Sequence, residues 1–294
     1  MIRTRQALFY LGFRLAMGMI GLLPARVAQR MGEIGGWCAY WLAAGRRNMA
    51  RRHARRLGID DPSRHARRMF AAYGRYWAEA FWVRPRRHAE IEAATETEGL
   101  DHIRRALAEG RGMILAVPHV GNWEIAAPVG LRLGLRMVAV AEDLPNRWVR
   151  DWFVRLRNQL GIGIVLATRG SSVMRELEEV IAGNGAVALL CDRNLRSKGV
   201  EVTFFGEATT LPAGPVTLAL RTGAPLIPVG SFFLPGGGHR VVVRQPIAFP
   251  RDGGRRGALE EGTQRLAEAL EELIRTAPDQ WHLLQPNWPS DRGE

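Results

Sequence analysis

The chain is predicted to be an α/β protein: a central sheet, mostly parallel or mixed, flanked by helices on both faces and preceded by an N-terminal amphipathic helical region. Three observations predict this. From residue 99 onward, short apolar β-rich runs alternate with helical patterns. Before that point, apolar side chains recur at helical spacing. Finally, 294 residues with 47% apolar and 24% charged side chains make a folded globular chain of one or two domains, long enough to hold a core without disulfides or structural metal. Residues 1–90 are expected to form a basic helical region packed on a body of residues 91–294, the two making one continuous domain.

The elements follow in order. Residues 5–23, RQALFYLGFRLAMGMIGLL, place Arg3 and Arg5 ahead of an apolar stretch, as a signal peptide or anchor would. Arg14 interrupts it, and the unbroken run 15–23 falls well short of the roughly 20 residues that cross a bilayer. An amphipathic helix lying on a membrane or on the body is the expectation. Over 25–44, Val27, Met31, Ile34, Cys38 and Trp41 form a helical stripe, and over 63–83 Phe70, Tyr73, Trp77 and Phe81 form another. Between them lies RRNMARRHARR, 46–56. Rings beside arginines (Trp37, Tyr40, Trp41, Tyr73, Tyr76, Trp77, Trp82) suit the headgroup layer of an anionic membrane, where each base adds about 1 kcal/mol of attraction. Ordinary helix packing accounts for the same rings equally well.

Charge is concentrated in the same region. Residues 1–90 hold 18 bases and 5 acids, residues 91–294 hold 23 and 24, so the first third carries the whole net charge of +12. Such a face calls for a polyanion: nucleic acid, an anionic membrane surface or a phosphorylated substrate. No winged-helix, zinc-finger or RNA-binding pattern accompanies the basic stretch, which disfavours nucleic acid.

Strands are expected at 113–117, 137–141, 162–166, 186–191, 200–205, 226–232 and 240–244, and helices at about 100–109, 123–134, 147–160, 172–183, 213–223 and 258–276. The last helix carries Leu259, Leu266, Leu270, Leu273 and Ile274 on one face and should close the sheet. The tail is expected to be loose beyond Trp288. Cys38 and Cys191 make no ligand set, and a reducing compartment is the simpler reading. The strings GxSxG, HExxH and a Walker motif are missing, so serine hydrolase, zinc protease and nucleotidase readings lack their minimum parts.

The first long strand runs into PHVGNWEIAAP, 118–128. Pro118 puts His119 on a turn beyond the strand, Gly121 allows a tight path, and Asn122 can cap the next helix. His119 and Glu124 are five apart, about 140° on one helix, so both face one site only if His119 is on the loop and Glu124 in the first helical turn. An imidazole oriented by a carboxylate can act as general base on a hydroxyl, an effect of roughly 10² to 10⁴ in rate. Taken alone, a His and an acid at this spacing are more often a solvated loop.

Here the string does not stand alone. PHVGNWE (118–124), RNQLG (157–161), LLCDRNLRSKGVEVTFFGEATTLPAGPVTLALRTGAPLIPV (189–229) and, more weakly, RYWAEAF (75–81) together resemble the glycerolipid and lysophospholipid acyltransferases. The nearer resemblance is to the branch of bacterial lipid A late acyltransferases and actinobacterial phosphatidylinositol mannoside acyltransferases, with the last long string most like the mannoside enzymes. Glu124 stands where those usually have Asp, and Glu is the habit of the lipid A branch. The resemblance implies transfer of a fatty acyl chain from acyl-CoA or acyl carrier protein to a hydroxyl of a membrane glycolipid, at the cytoplasmic face of the cell membrane, with no cofactor and no metal. It implies His119 as general base, Glu124 as the motif acid, Asp192 as a second acid matching the partner of the catalytic histidine, and Arg157 as a matching arginine. Asp192 is favoured over Glu124 as the imidazole's partner, with Glu124 holding the loop or an arginine.

Other residues complete the expectation. Arg157, Arg193 or backbone N–H groups near residue 122 would receive the oxyanion. Arg193, Arg196 and Lys198 would bind phosphate of the donor or acceptor, and Asn122 and Trp123 would face the substrate. Trp123, Ile125, Phe204 and Phe205 are candidate walls of an acyl groove. Cys191 as a nucleophile is disfavoured, because Asp192 beside it raises the thiol pKa. A hydrolase using the same pair on water remains the rival enzyme.

Overall fold

The protein, as a computed structural model, is described over residues 2–142, 146–167, 172–194, 199–249 and 254–292. Strands β1 (Thr95–Glu98), β2 (Met113–Val117), β3 (Met137–Glu142), β4 (Ile162–Ala167), β5 (Ala186–Leu190), β8 (Leu226–Phe233) and β9 (His239–Val243) form one sheet in the order β1-β9-β8-β2-β5-β3-β4. β8, β2, β5, β3 and β4 are mutually parallel, while β9 runs antiparallel to β8 and takes β1 parallel to itself. The predicted α/β class, with a mixed sheet covered on both faces, is the class observed.

Alternation along the strands divides the core. Met113, Leu115 and Val117 of β2 face helices α6 (Leu100–Ala108) and α7 (Ala126–Arg132). Ile114 and Ala116 face α9 (Val173–Ala182), α10 (Gly214–Thr222) and α11 (Gly254–Thr276). Leu266, Leu270, Leu273 and Ile274 are fully buried, so α11 closes this face as its apolar stripe predicts.

The predicted strand 200–205 does not join the sheet. It forms β6 (Val200–Phe204), which pairs only with β7 (Glu207–Leu211) as an antiparallel hairpin. Phe205 and Gly206, both at positive φ, make the two-residue turn such hairpins favour. The short strand β1 escaped the sequence reading because TETE has no apolar alternation.

Among the described residues, five α-helices precede the sheet: α1 (Ile2–Leu22), α2 (Ala25–Leu42), α3 (Ala44–Arg56), α4 (Pro62–Trp82) and the short α5 (His88–Ala93). α4 is the buried one, capped by Asp61 and contributing Met69, Phe70, Tyr76 and Trp82 to the core. α2 lies on it through its small residues. The stripe Val27, Met31, Ile34, Cys38 and Trp41 faces outward, and the contact runs through Ala28, Gly32, Gly36 and Tyr40. A Cβ on Gly36 would stand 2.0 Å from the Phe70 carbonyl oxygen, and one on Gly74 2.0 Å from that of Gly32. Small residues let the backbones touch, and the large apolar residues are left exposed. The aromatic rings therefore divide: Tyr40, Tyr76 and Trp82 are core, while Trp37 and Trp41 are about half exposed, at 51% and 54%.

The tail is also ordered differently from expectation. Asp291 accepts the backbone N–H groups of Asn287 (2.9 Å) and Trp288 (3.2 Å) and the Arg56 guanidinium (3.1 Å), with Trp288 fully buried. The chain beyond Trp288 is thus pinned as far as Asp291.

Candidate active site

Strand register builds the site. β2 and β5 are parallel neighbours with Val117 opposite Leu190, and the Cys191 N–H extends the ladder to the Val117 carbonyl at 3.0 Å. Two residues past each strand end, His119 and Asp192 meet. His119 Nδ1 lies 2.6 Å from Asp192 Oδ1, and the His119 backbone N–H donates to Oδ2 at 3.1 Å. Trp281 Nε1 donates to Oδ2 at 2.7 Å, and the Asn287 amide donates to the Asp192 carbonyl at 3.2 Å.

Burial alone would raise the Asp192 pKa, but the His119 ring and the Trp281 and backbone donors outweigh it and hold the carboxyl below its ordinary range. An ionised Asp192 accepts a hydrogen bond from Nδ1–H, which leaves Nε2 of His119 as the free lone pair. That ring is 20% exposed and meets the Trp123 ring edge-on at 5.7 Å.

Glu124 serves a different partner. Fully buried at the start of a 3-10 turn (Trp123–Ile125), its Oε1 receives Arg157 Nε at 3.0 Å and Nη2 at 2.9 Å from α8 (Arg147–Gln159). Tyr76 of α4 is hydrogen-bonded to the same guanidinium. Burial would lower the Arg157 pKa, but Glu124 and Tyr76 together raise it, so this cation is permanent.

The loop between His119 and Glu124 is held from three sides. Gly121, at φ +55°, passes so close to β8 that a Cβ would stand 2.0 Å from the Ser231 carbonyl oxygen. Its N–H donates to Gln280, and the Asn122 N–H donates to Ser231. Asn122 Oδ1 caps the Glu124 N–H at 3.1 Å, while its Nδ2 donates to Glu79 Oε2 at 3.0 Å. Asn122, expected at the substrate, is therefore fully buried and its side chain is used inside the fold. Of the backbone N–H groups at the start of the turn after residue 122, those of Asn122, Glu124 and Ile125 donate within the protein.

Glu79 itself is a hub. Its carboxylate also receives Arg75 Nε (2.8 Å), Gln29 Nε2 (2.9 Å) and His239 Nε2 (2.8 Å). Burial would raise its pKa, but His239 and Arg75 bring it down to about 2. α2, α4, β9 and the His119 loop thus share one buried charge.

An apolar cavity of about 110 Å³ runs from this loop between the sheet and helices α6 and α7. Ile103, Leu115, Val129, Ala139 and Ala188 line it, and Trp123, Glu124 and Arg157 also border it. Of the expected groove walls, only Trp123 is there. Ile125 is buried against Trp82, Val83 and Leu160, and Phe204 and Phe205 pack on Trp281 on the opposite face of the sheet. Arg193 sits half-buried next to Asp192, whereas Arg196 and Lys198 lie outside the described residues. Cys191 is fully buried, and desolvation and then Asp192 push its thiol pKa far up, which fits a packing residue.

Several residues at the site carried no local signal. Trp281, His282 and Asn287 arrive from the far end of the chain, and His239 from β9. His282, whose N–H bonds the His119 carbonyl at 2.8 Å, sits among the Tyr73, Tyr76 and Phe233 rings. Burial, helped by the charge of His119, lowers its pKa to about 3. Glu79 and Tyr76 were the exception, since both lie in RYWAEAF.

Comparison with known proteins places this geometry. The family model described as bacterial lipid A biosynthesis acyltransferase matches residues 2–290. The chain is 35% identical over 287 residues, 96% of its length and 91% of the relative's, to a phosphatidylinositol mannoside acyltransferase of Mycolicibacterium smegmatis. It is 36% identical over 227 residues, 76% of the chain and 70% of the relative, to the protein of that name from Mycobacterium tuberculosis. A lipid A biosynthesis acyltransferase of Haemophilus influenzae is more distant, at 26% identity over 68% of this chain and 60% of its own. With the family model spanning nearly every residue and the resemblance read from the motifs pointing the same way, the chain belongs to the bacterial lipid A biosynthesis acyltransferase family and is an acyltransferase.

Proposed function

We propose that the protein moves a fatty acyl chain from acyl-CoA to a sugar hydroxyl of a mannosylated phosphatidylinositol, working peripherally at the cytoplasmic surface of the cell membrane, with acyl carrier protein as the alternative donor. The observation that carries the chemistry is the 2.6 Å contact of His119 with buried Asp192 beside an apolar cavity. The glycolipid acceptor rests on the relatives named phosphatidylinositol mannoside acyltransferase.

The acyl tail lies in the cavity, which brings its thioester carbonyl to Trp123. Nε2 of His119 takes the proton of the sugar hydroxyl as its oxygen bonds the carbonyl carbon, and the imidazolium is stabilised by Asp192. The resulting oxyanion faces the positive potential of Arg157, with Arg193 adjoining the dyad. Collapse breaks the carbon–sulfur bond, and the thiolate leaves with the proton held on His119. Ester and free thiol are the products, and the protein needs no cofactor of its own for direct attack.

The membrane setting is supported by the distribution of exposed apolar side chains. Apart from Leu190, the large ones among the described residues lie on α1 and α2: Leu11, Leu15, Met19 and Leu22 on the first, and Val27, Met31, Ile34, Trp37, Trp41 and Leu42 on the second. No helix among the described residues is long and apolar enough to cross a membrane, so these faces suit a helix pair lying in the interface.

The test uses radiolabelled acyl-CoA with membranes containing either mannosylated phosphatidylinositol or a lipid A precursor. Label should enter the mannoside, and His119→Ala should lower that transfer by about 10² to 10⁴ while leaving the fold intact. Label in the lipid A precursor alone would reassign the acceptor, in keeping with Glu124. Free fatty acid released without any acceptor would make the protein a hydrolase.

A further inference from the structure

A second cavity, of about 290 Å³, lies between α1, the end of α4 and α8. Arg14, Arg84 and Arg155 border it together with Gln159, and no carboxylate among the described residues does. Arg155 and Arg157 are two residues apart on α8, so they point about 200° apart. The cavity therefore lies behind the helix that carries Arg157 and is separate from the His119 site.

The cations here differ from the buried and partly buried arginines of the chain that pair with carboxylates, and two of them, Arg14 and Arg155, are exposed. Arg75 pairs with Glu79, Arg157 with Glu124 and Arg56 with Asp291. Arg14, Arg84 and Arg155 make no ion pair among the described residues. Arg84 is half-buried, donates to the Val83 carbonyl at 2.7 Å, and has Arg86 and Arg87 as its charged neighbours. Burial, and then those like charges, lower its pKa. Arg87 is already committed, donating to the Gly21 and Leu23 carbonyls at the end of α1. Gly21 leaves room for Arg84, since a Cβ there would come within 3.1 Å of its Nη2. A desolvated guanidinium surrounded by its own sign is costly unless an anion completes it. Three guanidinium forks and an amide match the several oxygens of a phosphate.

Position selects the source of that phosphate. Arg14 and Gly18 border the cavity on α1, and at three- and four-residue spacings they adjoin Leu11, Leu15 and Leu22, all exposed. The cationic cavity thus opens beside an apolar stripe, the arrangement that a lipid with its phosphate above its chains would fill. We propose that the cavity bounded by Arg14, Arg84 and Arg155 binds the phosphate of an anionic membrane phospholipid, on the reverse side of α8 from the reacting site. This rests on the membrane-surface reading above. A lipid seated there ties α1 and α4 to α8.

The experiment measures binding of the full chain to phosphatidylcholine vesicles with and without phosphatidylglycerol, the readout being the ratio of the two affinities. The wild type should prefer the anionic vesicles. Arg84→Gln, and separately Gly18→Gln, which fills the cavity without removing a charge, should each cut that ratio by about tenfold, while R64Q/R67Q on the exposed face of α4 should change it only a few-fold. Arg84→Gln should leave the melting temperature unchanged or higher, which a structural strut would not. A wild type that binds vesicles but whose ratio survives both cavity substitutions overturns the phosphate site and leaves the membrane reading standing. A wild type that binds neither vesicle overturns the membrane reading and the lipid with it. Stabilisation by inorganic phosphate without vesicle binding would reassign the cavity to a soluble anion.

Discussion

At the scale of single residues, the site is a set of buried charges, each satisfied by named partners. Asp192 orients His119, Glu124 binds Arg157, and Glu79 holds Asn122 and so the loop between them. Glu79 touches no reacting atom, so its role is positional. Glu79→Gln should lower turnover about ten- to a hundredfold with little change in donor KM. Combined with Asn122→Ala, it should show coupling of about 0.5–3 kcal/mol, because the two side chains share one bond. Additive effects in that double-mutant cycle would separate them. Cys191 gives the opposite expectation. With its thiol buried and its pKa raised, Cys191→Ala should keep transfer within a few-fold, and no acyl-enzyme should be trapped by rapid acid quench. Loss of activity comparable to His119→Ala would restore the covalent route.

At the scale of elements, the contact of α2 with α4 shows what periodicity leaves open. The spacing of Val27, Met31, Ile34, Cys38 and Trp41 marks one face of a helix, and in a soluble helix that face would turn inward. Here Gly32, Gly36 and Gly74 bring the backbones so close that the opposite face is buried. Gly36→Leu should therefore destabilise the protein by at least about 1–3 kcal/mol, since its Cβ alone overlaps the Phe70 carbonyl. Ile34→Ser, on the exposed stripe, should stay within about 0.5 kcal/mol. Thermal melts of the two variants check this, and a larger cost for Ile34→Ser would mean that the stripe is packed. The hairpin of β6 and β7 makes the same point: alternation identified a strand at 200–205, but not that its partner would be its neighbour in sequence rather than the sheet.

For the whole molecule, buried neutral histidines link stability to pH. His53, on α3, is brought down to about 4, chiefly by burial and against the pull of Asp291, and His282 to about 3. The unfolded chain protonates these rings near 6.5, well before the folded one does. Their contribution is therefore complete above that pH and is lost progressively as pH falls toward 4 and 3. Glu79, held at about 2, adds a further loss as pH drops below its ordinary 4.5. The melting temperature should fall steadily below about pH 6.5 and more steeply below about 4.5, and His282→Phe should flatten the upper part of that slope. A melting temperature unchanged between neutral pH and about pH 5 would contradict it.

The sequence by itself determined the alternation of strands and helices beyond residue 99, apart from β7, the basic amphipathic character of the first third, and the strand-end loop bearing His119 and Glu124, because all of these are set by neighbours a few residues apart. It also narrowed the imidazole's partner to two acids. Tertiary structure alone decided between them: Val117 pairs with Leu190 across parallel strands, and that register brings Asp192 to His119 over a sequence distance of 73 residues. It likewise brought Trp281 and His282 to the site, turned the apolar stripe of α2 outward, and gathered Arg14, Arg84 and Arg155 around one cavity. Contacts of that kind depend on how whole elements pack, which no local pattern of residues records.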